Sequence, residues 1–224
     1  MAVRQLRLDR DGAQLFASAG AGRLAELAGS LMGQPSDQAG IRLFGIDFLS
    51  PSLTASGAIG GIATRELGAD ARPVRAILFD KTAASNWALG WHQDRVIAVR
   101  ERIETPGFGP WTRKQGAWHV APPFDLLARM LTLRVHLDPV PADNAPLLVA
   151  PGSHRLGLVP VGEVAGVVAR CGTAACLAGA GDVWAYSTPI LHASERSASP
   201  ERRRVLQVDY AAEDLPGELE WLGV

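Results

Sequence analysis

Two short stretches of the chain, Trp91-His92-Gln93-Asp94 and Leu191-His192-Ala193-Ser194, carry side chains that bind transition metals. Two imidazoles and one carboxylate are the set that holds a non-haem Fe(II) ion on one face and leaves its other positions open. On a β-strand, side chains at i and i+2 share a face. His92 and Asp94 can therefore grip one ion while Gln93 turns away, and His192 closes the triangle. Such a centre needs an anchor for a co-substrate. Arg203 stands eleven residues beyond His192, at the head of the apolar run Val205-Leu206-Gln207-Val208, where its guanidinium can reach the metal region and make a bidentate contact to a carboxylate. His-x-Asp alone is a weak motif. The order His-x-Asp, long interval, His, short interval, Arg on strand-like patterns is the stronger signal.

Further segments extend the pattern: Leu137-Asp138, then Asp143-Asn144-Ala145-Pro146-Leu147, then Pro151-Gly152-Ser153-His154-Arg155. With the three ligands, they make the chain from about Arg75 onward resemble the phytanoyl-CoA dioxygenase family of Fe(II)- and 2-oxoglutarate-dependent oxygenases. The last two look like that family's Asn-Gly-Pro-Leu and Pro-Gly-Ser-His segments. A bacterial subgroup, mostly without assigned substrates, is also similar around Leu78-Phe79-Asp80-Lys81-Thr82 and Asn86-Trp87. Ala145 departs from the family's usual Gly; Ala tolerates positive φ less well, so that turn is expected to differ in shape.

The resemblance implies Fe(II), 2-oxoglutarate and O₂ as cofactor and co-substrates. It also implies hydroxylation of a small molecule, with succinate and CO₂ released. Related halogenases have a small residue in place of the carboxylate, so Asp94 argues for hydroxylation or another oxidation. Two other classes share the architecture: a cupin-like metalloenzyme that uses no 2-oxo acid, which has no need of Arg203, and a catalytically silent binding protein, which has no need of intact ligands.

Around the ligands, Ser194 repeats the i, i+2 relation from His192, so its hydroxyl is expected on the metal side, sharing the distal carboxylate of 2-oxoglutarate with Arg203. Arg202 or Arg204 takes that role if the strand slips by one residue. Candidates for the other end of 2-oxoglutarate are Lys81, Asn86 and Thr132, although a solvated Lys81 at a strand end fits equally well. In Leu131-Thr132-Leu133-Arg134-Val135-His136-Leu137 the odd positions are apolar and the even ones polar. Arg134 and His136 either face solvent or line the pocket to receive a substrate carboxylate or 2-oxoglutarate. His119 and His154 are weak ligand candidates, because additional imidazoles would occupy the positions that O₂ and co-substrate require. His154 fits a turn, and His119, beside Trp118, a substrate-facing position. Trp87 and Trp91 read mainly as packing residues.

The elements that must hold these residues divide in two. Residues 1–72 read as a helical region: Leu15, Phe16, Leu24, Leu27 and Leu31 suggest one or two helices with a break at Gly20-Ala21-Gly22. A further helix is expected from Ser50-Pro51 to Leu67, stopping at Gly68 and weakened by Gly57, Gly60 and Gly61. Residues 73–224 read as β-rich: Val74–Phe79, Val96–Arg100, Trp118–Val120, Leu131–Leu137, Leu147–Ala150, Val183–Tyr186 and Val205–Tyr210, separated by Gly, Pro and Asp. Short runs so spaced indicate antiparallel pairing, so the expected fold is mainly β with flanking α-helices, a double-stranded β-helix or jelly roll in one domain. The stretch Glu101–Pro123, rich in Pro, Gly and Trp and including Trp111, reads as a substrate-covering loop, with a packed excursion as the alternative.

Composition is consistent with one enzyme domain. The 224 residues are 47% hydrophobic, enough for a substantial core, and 22 basic against 23 acidic side chains leave a net charge of −1. No global field then favours nucleic acid or a membrane as partner. The N-terminal residues lack an apolar leader and no uncharged run reaches spanning length, which points to a cytoplasmic protein. Cys171 and Cys176 are too few for a disulfide framework and read as reduced structural residues.

Overall fold

The computed structural model describes residues 5–35, 38–46 and 49–224. Its centre is a six-stranded antiparallel sheet in the order β1-β11-β8-β13-β3-β2. The strands are β1 (Ala13–Phe16), β2 (Ile41–Leu43), β3 (Arg72–Lys81), β8 (Leu131–His136), β11 (Val183–Ser187) and β13 (Arg203–Ala211). A second sheet, β10-β9-β12-β4, is built from β4 (Leu89–His92), β9 (Leu147–Val149), β10 (Ala174–Cys176) and β12 (His192–Ser194). β5 (Ile97–Val99), β6 (Trp111–Lys114) and β7 (Ala117–Val120) form a third, smaller sheet. This is the expected double-stranded β-helix with flanking helices.

Strand alternation explains the layering. Leu131, Leu133 and Val135 of β8 and Leu206, Val208 and Tyr210 of β13 face outward. They pack beneath Leu27 and Leu31 of α2 (Leu24–Ser30) and its end, Leu53 of α3 (Ser50–Leu53), and Ile62 and Ala63 of α4 (Gly60–Leu67). Each such aliphatic side chain contributes about 1.5–3 kcal/mol by leaving water. The alternate residues, Thr132, Arg134, His136, Arg203, Gln207 and Asp209, are polar yet buried, because their face of the sheet is turned toward the second sheet. The inner face is thus a polar layer enclosed by an apolar shell.

Three expectations change. Leu15 and Phe16 belong to β1, and Ile41-Arg42-Leu43 to β2, so the region 1–72 contributes two edge strands as well as helices. The helix expected over 50–67 is two helices, α3 and α4. Between them the chain doubles back, and a Cβ on Gly57 or Gly60 would collide with the carbonyls of Ser52 or Thr54. The stop at Gly68 holds, with φ +98. The stretch Glu101–Pro123 is packed along its body, while its tip, Lys114-Gln115, borders the space between the sheets: β6 and β7 form a hairpin, and Trp111 and Trp118 meet edge to face at 6.4 Å. That hairpin rests on Leu126 and Leu127 of α5 (Phe124–Ala128), on Met130 and on Trp221. α1 (Leu8–Asp11) precedes β1, and α6 (Val164–Cys171) precedes β10. Among the described residues, no helix is long and apolar enough to cross a membrane.

Candidate metal centre and anion pocket

β4 and β12 pair with His92 opposite His192, which sets the two imidazole rings 4.2 Å apart between centroids. β4 ends at His92, so Asp94 reaches the site from the irregular segment that follows and not from strand alternation. One side-chain nitrogen or oxygen from each of His92, Asp94 and His192, of the kinds that ligate metals, lies within 4.8 Å of the others. In both imidazoles Nδ1 meets a main-chain carbonyl two residues back, Gly90 at 2.8 Å and Ile190 at 2.9 Å. A carbonyl only accepts, so Nδ1 carries the proton and Nε2 keeps its lone pair for an ion. Burial pushes His192 down to about 4, against the pull of Asp94, leaving it neutral at pH 7. Burial alone would raise the Asp94 carboxyl, but Arg75, then His192 and His92, outweigh it and hold it below the ordinary carboxylate range. Two imidazoles that donate through Nδ1 and turn Nε2 toward the site, with a carboxylate kept ionised, are the donor set that fits a divalent ion.

Two residues not singled out in the sequence hold this segment. Gln93 is buried; its amide donates to the carbonyls of Pro189 at 2.8 Å and Gly157 at 3.0 Å and accepts from the Val159 N–H at 2.9 Å. It thereby ties the His92–Asp94 segment to the chain just before His192. Arg75, on β3, donates to Asp209 at 2.5 Å and reaches Asp94 at 3.5 Å. The only sequence signal for either was a polar residue at a position that had to be enclosed.

Between the two sheets lies a cavity of about 600 Å³, into which His92, Asp94 and His192 project. Its charge is one-sided. Among the described residues, Arg42, Arg75, Arg95, Lys114, Arg134 and Arg203 line it against one carboxylate, Asp94.

At one end Arg203 is 2% exposed and donates through Nη1 to the carbonyl of Ala145. Ala145 sits at φ +48, the left-handed conformation that the family's Gly would take freely; the departure strains the turn without moving its carbonyl off Arg203. The flanking residues point outward: Arg202 pairs with Asp80 at 2.6 Å and Arg204 with Asp138 at 2.7 Å, so the register that turns Arg203 inward is the one formed. Lys81, opposite Arg203 on β3, donates to the Ser194 hydroxyl at 3.1 Å and to the Glu195 carbonyl, with its ammonium 5.1 Å from the Trp87 ring centre. It therefore belongs to the Arg203 end and not to the opposite one. Arg134 donates to Gln207 at 2.9 Å and lies 5.1 Å from the Phe79 ring centre.

Among the described residues these cations have no facing carboxylate, and the strain shows. Burial, then Arg203 and Arg134, pushes Lys81 down to about 7; burial, then Arg134, pushes Arg203 down to about 9. Nε of Arg203, Nε of Arg134 and both ring nitrogens of His136 are buried without a hydrogen-bond partner. Burial, then Arg134 and Arg203, takes His136 down to about 3, so it is neutral. Orphaned donors around an excess of positive charge make a cradle for an anion.

The remaining candidates lie elsewhere. Both ends of the Asn86 amide are taken by the backbone of Ser197. The Thr132 hydroxyl donates to Asp209 at 3.0 Å, which helps hold Arg75. Trp111 packs in the hairpin away from the cavity. His119 is fully buried behind Arg42 rather than facing the cavity. His154 sits in a helical turn against Gly12.

Residues 66–205 match the family model described as "Phytanoyl-CoA dioxygenase". That family uses iron, 2-oxoglutarate and O₂. No curated protein matches the chain. Among solved structures, the apo form of EctD from S. alaskensis is similar with a TM-score of 0.66 at 21% identity, over 97% of this chain and 78% of that one. HygX from Streptomyces hygroscopicus, with nickel and 2-oxoglutarate bound, gives 0.62 at 14% identity, over 94% and 89%. The epimerase SnoN in complex with Fe3+, alpha ketoglutarate and nogalamycin RO gives 0.62 at 18% identity, over 95% and 88%. At these identities the likeness is one of fold.

Proposed function

We propose, from the premise that the chain belongs to the phytanoyl-CoA dioxygenase family, that it is an Fe(II)- and 2-oxoglutarate-dependent dioxygenase hydroxylating a small molecule. The observation that carries this reading is the meeting of His92, Asp94 and His192 beside a buried cationic cradle in one cavity. In this reading the three side chains hold Fe(II), which supplies O₂ activation coupled to oxidative decarboxylation of 2-oxoglutarate. The balance is one C–H group, one 2-oxoglutarate and one O₂ giving one C–OH, one succinate and one CO₂.

The chain's own residues have defined tasks. Gly90 and Ile190 fix the imidazole tautomers. Arg75 holds the Asp94 carboxylate ionised and oriented. Arg203, with the Ser194 hydroxyl and the Lys81 ammonium, takes the distal carboxylate of 2-oxoglutarate, while Arg134 adds charge. Ile77, Phe79 and Leu147 of the two sheets keep bulk water from the centre. A metalloenzyme that uses no 2-oxo acid would leave Arg203 and Lys81 unneutralised, which disfavours that alternative. The substrate is a small molecule enclosed in the cavity; EctD, HygX and SnoN, similar in fold, include two solved with small molecules bound.

The test is anaerobic addition of Fe(II) and 2-oxoglutarate, which should give a weak visible charge-transfer band. His92→Ala, Asp94→Ala and His192→Ala should each abolish it. In air, succinate should form from 2-oxoglutarate in the wild type. Full retention of the band in all three variants places the metal elsewhere and ends the reading.

A further inference from the structure

The cavity holds a second positive pole that the co-substrate leaves unused. Arg42 on β2 and Lys114 at the end of β6 line its mouth, and among the described residues neither is paired with a carboxylate. Their placement is built. Gln115, at the tip of the β6–β7 hairpin, accepts from the Arg42 backbone N–H at 2.9 Å and donates to the Gly40 carbonyl at 2.8 Å, latching the hairpin to β2. The Arg42 guanidinium is steered by Nε, which lies 3.4 Å from Nε2 of buried His119. His119 Nδ1 meets the Ala117 carbonyl at 3.1 Å and so carries the proton, leaving Nε2 to accept. Burial, then Arg75, Arg42 and Lys114, keeps that ring neutral, at about 4. A neutral acceptor aims Arg42 while leaving its full charge for the cavity.

The two poles are distinct. Arg42 stands on the edge strand β2 opposite Ile77 of β3, whereas Lys81 stands opposite Arg203 on β13, on the other side of β3. Ile77, the partner of Arg42, and Lys81 stand four residues apart on β3, roughly 13 Å of strand. His92, Asp94 and His192 line the same cavity. One 2-oxoglutarate, anchored at Arg203, neutralises only the inner pole.

We infer that the substrate is a small organic anion, a carboxylate or phosphate ester, whose charged group binds Arg42 and Lys114 at the mouth while its oxidisable carbon faces the metal. The inference rests on the function proposed above and deepens it. Two mutually repelling cations held at the entrance gain most from a ligand that carries the missing charge, and they disfavour cationic molecules by the same interaction.

The experiment uses the full chain loaded with Zn(II), a diamagnetic stand-in, and 2-oxoglutarate, followed by amide NMR. Binding of 2-oxoglutarate itself is read first. Its absence refutes the co-substrate assignment and leaves the mouth to be tested on the same sample. Inorganic phosphate and, separately, acetate are then titrated. The expected result is saturable shifts at Arg42 and Gln115 for at least one anion; the tighter of the two identifies the headgroup. In the Arg42→Gln/Lys114→Gln double variant that affinity should fall by about tenfold or more, as expected for a lost charge-assisted contact, while 2-oxoglutarate affinity is retained. Shifts that are absent for both anions, or equally strong in the double variant, overturn the inference.

Discussion

On the proposed function, replacing Arg203 by Met should separate co-substrate binding from metal binding. Arg203 hydrogen-bonds the Ala145 carbonyl and not His92, Asp94 or His192, so the ion should bind as before. Its loss removes the charge-assisted contact to the distal carboxylate, worth about 1.5–3 kcal/mol, or roughly 10- to 150-fold in 2-oxoglutarate affinity. Lys81 and Arg134 remain at the same end, which places the expected loss in the lower part of that range. A second effect has the opposite sign. The guanidinium, at about 9 instead of 12.5, carries roughly 5 kcal/mol of unfavourable free energy in the free protein as an upper figure, from its burial and then from Arg134. The unliganded variant should therefore melt no lower than the wild type despite losing the bond to Ala145. The assay is anaerobic titration of 2-oxoglutarate into the Fe(II)-loaded protein, read by the charge-transfer band, with Arg202→Met and Arg204→Met as controls. Those two face Asp80 and Asp138 outside the cavity and should change affinity by less than about twofold. An unchanged affinity in Arg203→Met, or a larger loss in either control, refutes the assignment of the cradle.

Three further outcomes follow from individual contacts. Arg75→Met should weaken Fe(II) binding by about 10- to 100-fold with all three ligands intact, as loss of an outer-shell partner does; equilibrium dialysis against a chelator measures it. Ala145→Gly should stabilise the fold by about 1 kcal/mol, because Gly adopts φ +48 without the Cβ penalty; urea melts at constant m-value check it. Lys81, at about 7 when folded against 10.5 ordinarily, binds fewer protons folded than unfolded between those values, so stability of the unliganded protein should rise with pH across that window. After allowance for screening, a gain of about 1–2 kcal/mol between pH 7 and 9 is expected, and Lys81→Met should flatten it.

The residues legible in the sequence were those whose chemistry or periodicity is local. His92, Asp94 and His192 announce a metal by type and order, and the alternation along β8 and β13 gave both the core face and the inward turn of Arg203. What escaped is what non-local pairing decides. Leu15 and Phe16 read as helical until β11 offers them a sheet edge, and the hairpin read as loose until α5 and Trp221 give it a surface. Asn86 and Thr132 carry suitable atoms, but Ser197 and Asp209 had claimed them. Arg42 and Lys114 had no motif at all: β2 and the hairpin tip come from positions about 70 residues apart and meet through Gln115.

The inner face of β3, β8 and β13 makes little sense as a core on its own. Lys81, Arg134 and Arg203 are enclosed together, and a buried charge without a partner is among the costliest things a fold can retain. Where the same strands need rigidity they do supply the partner: Arg75 has Asp209, and Asp209 has Thr132. The carboxylate missing at the Arg203 end is thus a local feature of one pocket and not a general property of the layer. A site whose charge balance is completed by its ligand binds that ligand tightly and is destabilised without it. The helical layer over Leu133, Val208 and Tyr210, closed by the Tyr210 hydroxyl on the Leu53 carbonyl at 3.0 Å, holds the sheet in shape while that deficit persists.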